Sequence, residues 1–102
     1  MKSLFLLLCS AALCAAAPPP VIYDTDMGND IDDALALAML HALEARGEIR
    51  LCAVTVTKDN PWAARYVSAV NWFYGRSNLP VGLVRDGVTK DEGNYVRRTV
   101  EE

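Results

Sequence analysis

Apolar residues recur along the chain with two alternating periods. Val21-Ile22-Tyr23 runs into acid and reads as a short buried strand over Val21–Asp26. From Asp30 to Arg46 the spacing predicts a helix: Asn29 or Asp30 can cap it, Asp32 and Asp33 suit the positive end of its dipole, and Gly47 suits its stop. Ile31, Leu35, Leu37, Met39, Leu40 and Leu43 cover most of its circumference, so it is expected to be largely buried. β-Branched residues return over Ile49–Thr57, a second strand that ends at the polar turn Lys58-Asp59-Asn60. Pro61 opens a second helix, with Trp62, Tyr66, Val70 and Tyr74 at i+4 spacing and a stop near Gly75. Val81–Val84 reads as a third strand, and Arg85–Glu102 is charged and shows no period.

Strand, helix, strand, helix, strand at this spacing requires right-handed crossovers, and so predicts the start of a doubly wound, mostly parallel α/β sheet. Ligands of such sheets sit at the carboxyl ends of the strands, where both polar turns fall. Three strands and two helices make a thin core, so residues 18–102 are expected to be the front portion of a larger domain.

The apolar content of 52% overstates that core. Residues 1–17 carry one basic residue, Lys2, then the run Leu4 to Leu8, then small residues around Cys14-Ala15-Ala16-Ala17, the pattern of a secretory signal peptide too short to span a membrane. Cleavage after Ala16 is preferred, since cleavage after Ala17 would leave Pro18 first. The mature chain is then expected to be secreted or periplasmic, free of the membrane, and preceded by the stiff spacer Pro18-Pro19-Pro20. Cys9 and Cys14 leave with the leader, and Cys52 alone cannot form an internal disulfide. A net charge of -3 with no basic cluster argues against a nucleic-acid partner. Self-association into a homo-oligomer stays open.

Against this background one segment stands out. Asp24, Asp26, Asp30, Asp32 and Asp33 place five carboxylates within ten residues, between the first strand and the first helix. Crowded like charges persist where a cation or a shared proton neutralises them, and an oxygen-only donor set suits calcium or magnesium better than zinc. Asp32 and Asp33 lie about 100° apart around the first helical turn. Folding the turn back, with Gly28 giving it room, could bring Asp26 and Asp33 to one point. Calcium takes about six to eight oxygens, so further ligands must come from elsewhere. An EF-hand needs glycine where Asn29 stands and glutamate where Leu35 stands, and fails. The Asp-x-Asp opening of haloacid-dehalogenase-type phosphatases matches Asp24 and Asp26 but not the fifth position, Gly28.

Asp24-Thr25-Asp26-Met27-Gly28, followed by Asp32-Asp33-Ala34, resembles the N-terminal signature of the inosine-uridine preferring nucleoside hydrolases, with Asn29-Asp30 lengthening the usual gap. Leu51 to Thr57 is similar to the family's second strand, and Asn60 stands where the family has an asparagine. The resemblance spans roughly residues 21 to 84. It implies that Asp26 and Asp33 bind calcium, that Asp26 takes the proton from the attacking water, that Asp32 holds ribose hydroxyls, that Asn60 contacts the sugar, and that Asp24 orients its neighbours. It also implies a ribonucleoside substrate, split into ribose and free base. The family's later histidine, aspartate and ligating carbonyl have no counterpart here.

More ordinary roles stand beside these. Asp30, Asp32 and Asp33 can serve as cap and dipole partners, although that leaves the acids on the strand unexplained. Asn60 taken alone reads as a turn residue or helix cap. His41, the sole histidine, belongs to the face of the apolar helix, and most of Trp62, Trp72, Phe73 and Tyr74 are expected to pack in the core. A non-catalytic calcium- or sugar-binding remnant is the alternative to a hydrolase, with a phosphatase fragment behind it.

Overall fold

A computed structural model describes residues 16–102; the expected leader lies almost wholly outside the described residues. In chain order the elements are β1 (Pro20–Thr25), α1 (Asp32–Ala45), β2 (Arg50–Val56), α2 (Pro61–Phe73), β3 (Val81–Leu83) and α3 (Val96–Glu101). The strands form a parallel sheet in the order β1-β2-β3. The chain is thus α/β with two helical crossovers, and no described helix is long and apolar enough to cross a membrane.

One face of the sheet meets the helices. Leu51, Val54 and Val56 pack there with Leu37 of α1, Ala63 and Val67 of α2, and Val96 of α3. Each fully buried aliphatic side chain contributes about 1.5–3 kcal/mol. Val21 faces Leu51, but Ile22 faces Ala53, so Cys52 is an extra residue that bulges from the ladder. The bulge puts Leu51 and Val54 on the same face although two residues, Cys52 and Ala53, lie between them. The opposite face carries Asp24, Thr55, Gly82 and Ile22, the last 66% exposed, and no described helix covers it.

Several expectations need correction. The first helix starts at Asp32, and its N-cap is Ile31, with no side-chain cap, so neither Asn29 nor Asp30 fills that role. Of its residues only Leu37 and His41 are buried; Ile31, Leu35 and Met39 face out because α1 touches the sheet along a narrow stripe. Trp72 and Phe73 are 71% and 74% exposed and Tyr74 is also exposed, so of the four aromatics named only Trp62 packs against the core. His41 does lie on a helix face, its Nε2 donating to Asn71 Oδ1 at 2.8 Å and its ring stacking on Tyr74. The charged tail contains α3, a six-residue helix docked on α2 through Val96 and an edge-to-face contact of Tyr95 with Tyr66.

Candidate functional site

The turn after β1 begins at Thr25, whose buried hydroxyl accepts from the Met27 amide and bends the chain out of the ladder. Gly28 follows at φ 136°, with space so tight that a Cβ there would sit 3.1 Å from the Glu92 carbonyl. This bend returns the chain to α1 and sets Asp33 against Asp26. Burial, and next the Asp26 carboxylate beside it, push the Asp33 carboxyl up from its ordinary range, with Asp32 adding to the effect. Tyr23 Oη lies 3.1 Å from Asp33 Oδ1 and donates toward it. No described Lys or Arg forms an ion pair with Asp26 or Asp33.

The other predicted residues divide. Asp32 is exposed in the first turn of α1, where its carboxylate accepts from the Asp33 amide at 3.0 Å. Asp24 points to the uncovered face and accepts from Thr55 Oγ1 at 2.6 Å. Asn60 is buried: its Oδ1 accepts from the Trp62 amide at 2.8 Å as the N-cap of α2, and its Nδ2 donates to the Lys90 carbonyl at 3.0 Å. Both ends of that amide are therefore occupied.

Sequence reasoning missed the segment that runs over both turns. Residues 87–95 cross the carboxyl edge: the Asp59 amide donates to the Thr89 carbonyl, the Gly87 amide to Asp59 Oδ2, and the Asn94 amide to the Gly28 carbonyl at 2.6 Å. Beneath them lies Lys58, 1% exposed, whose Nζ donates to Asn29 Oδ1 at 2.6 Å and Asp91 Oδ1 at 2.9 Å. That contact holds the Asp91 carboxyl below its usual range. A signal for Lys58 existed: Val54, Val56, Lys58 and Asn60 are all buried, so the strand's alternation continues through the turn. Tyr95 Oη donates toward the Asp30 carbonyl at 3.0 Å, and burial, with Tyr66 and Asp33 nearby, pushes its phenol up to about 12, so it keeps its proton.

Could these residues hold a hard cation? Asp26 and Asp33 supply a negative, oxygen-only pair with no ion-pair partner among the described residues, which fits. Among the described residues, though, no three His, Cys, Asp or Glu side chains converge as a metal site, so the pair covers only part of a calcium shell. The site is also open. A hollow of about 360 Å³ beside α3 and an apolar groove of about 430 Å³ between α1 and α2 are both lined by other residues. Comparison with family models, with curated proteins and with solved structures finds no match to this chain.

Proposed function

We propose that this chain is the N-terminal part of a nucleoside hydrolase-like domain, which splits the N-glycosidic bond of ribonucleosides with the help of calcium held at the turn after β1. The observation that carries the reading is Asp33 set against Asp26 at the carboxyl end of a parallel strand, neither ion-paired to a described Lys or Arg. The uncovered sheet face supports the larger domain, because parallel sheets are normally covered on both sides.

Calcium bound there would lower the pKa of a ligated water and engage vicinal hydroxyls. Asp26, exposed and beside Asp33, would take the water's proton. Asp32, open to solvent, is placed to accept from ribose hydroxyls, and the grouped carboxylates would stabilise positive charge developing on the sugar. Asp24, fixed by Thr55, keeps the strand end in register. For Asn60 to reach the sugar it must release Trp62 or Lys90, so its contribution is the cap unless substrate displaces one of them.

The test is calcium titration with and without ribose, followed by release of free base from inosine and uridine. Asp26→Asn is expected to abolish release, and Asp33→Ala to weaken calcium binding by ~10-fold or more, about 1.4 kcal/mol. Unchanged calcium affinity in Asp33→Ala overturns the ligand assignment. A second reading, a calcium- and sugar-binding remnant without turnover, is favoured by the incomplete carboxylate set and the occupied Asn60; it predicts binding without base release. A preference for magnesium together with phosphate release would mark a phosphatase instead.

A further inference from the structure

Among the described residues Lys58 is the one buried lysine or arginine, it lies in a region of crowded acids, and the proposed chemistry gives it no task. Burying an ammonium carries a large desolvation cost before its contacts offset it. A neutral side chain of equal length would fill the same space without that cost. Nor does simple charge explain it, because a fixed positive charge close to a cation site weakens cation binding.

Its contacts point to geometry. Three consecutive residues of the acidic turn are each held from outside: the Gly28 carbonyl accepts from the Asn94 amide, the Asn29 side chain accepts from Lys58, and the Asp30 carbonyl accepts from Tyr95. Asn94 Nδ2 adds a further bond to the Asn29 carbonyl at 2.9 Å. Lys58 comes to this junction from the turn after β2 and bonds both of its sides, joining Asn29 to Asp91. The packing is close: Gly28 and Gly93 approach so nearly that a Cβ on Gly93 would collide with the Gly28 oxygen.

We propose that Lys58 is a positioning residue: its ammonium latches segment 87–95 onto the acidic turn and so fixes the backbone that presents Asp26 and Asp33 to a cation. The inference rests on the calcium reading above. Its role is exerted through Asn29, which carries no charge, and this separates geometry from electrostatics.

The experiment uses the full chain and two variants, Lys58→Met and Asn29→Ala, read by calcium calorimetry and by hydrogen exchange without metal. Both variants are expected to weaken calcium binding by ~10-fold or more, although Lys58→Met removes a repelling charge and Asn29→Ala alters none. Exchange at the amides of Asn94 and Asp59 is expected to accelerate ~10-fold, while amides of β2 and α2 stay protected. Equal or tighter calcium binding in both variants overturns the latch even if the parent chain binds calcium well. If the parent binds no calcium, the proposed function fails, and the latch is then decided by exchange alone, unchanged rates overturning it. Should Lys58→Met not fold, Asn29→Ala carries both measurements.

Discussion

The two turns at the carboxyl edge of the sheet solve opposite problems. After β2, Lys58 and Asn60 are buried and each polar end finds a partner, so that turn is part of the scaffold. After β1, Asp26, Asp30 and Asp32 are exposed, and Asp33 is pressed against a like charge with a tyrosine hydroxyl to help it. A satisfied turn has stability to lose and little to gain from a ligand. A turn holding unmatched charge is the reverse, and that is where binding energy for a cation can be recovered.

Substitutions should therefore act with opposite sign in the two places. The largest effect is expected where the turns are tied together: Gly93→Ala, at φ 70° and in collision with the Gly28 carbonyl, should cost ~2 kcal/mol or more in urea unfolding. A cost below half of that would mean residues 87–95 do not press on the first turn. Next comes Asn60→Ala, which removes the α2 cap and leaves the Lys90 carbonyl without its donor; a loss of ~1–2 kcal/mol is expected, and no loss would make the second turn as dispensable as the first.

The smallest effect should be a gain. The Asp33 carboxyl is raised in the folded chain, so its contribution favours the fold at low pH and is lost as pH rises through that raised value. Asp33→Asn should accordingly stabilise the metal-free chain at neutral pH by less than ~1 kcal/mol, given the partial exposure of the site, and the gain should vanish as pH falls below the ordinary carboxylate range. Destabilisation by Asp33→Asn at neutral pH would break the contrast between the turns.

Much of the fold was legible because period and punctuation agreed. Pro61 stands at the first turn of α2, Gly47 and Gly75 follow the two long helices with φ near 75°, and the strands begin and end within two residues of their expected limits. The helix α3 was not, because six residues offer no second turn of pattern; tertiary contacts of Val96 and Tyr95 hold it in place. Depth of burial was misjudged for the same reason in Ile31, Leu35 and Met39: an apolar residue shows what could be covered, and only the arrangement of elements decides what is. Within the site, the approach of Asp26 to Asp33 follows from a glycine turn between strand and helix. The clasp of Lys58 on Asn29 and Asp91 joins residues about thirty apart, and no local pattern encodes that.

The extra residue at Cys52 makes β2 a counting device. Upstream of it odd-numbered positions face the helices, and downstream even-numbered ones do. A change of side chain at Cys52 leaves that arrangement intact, and loss of the residue would close the bulge with Leu51 and Val54 two apart on the helix-facing side, whereas one more residue inserted without a bulge of its own would turn either Leu51 or the Val54–Val56 pair toward water, and with the latter the inward alternation that carries Lys58 and Asn60 to their partners.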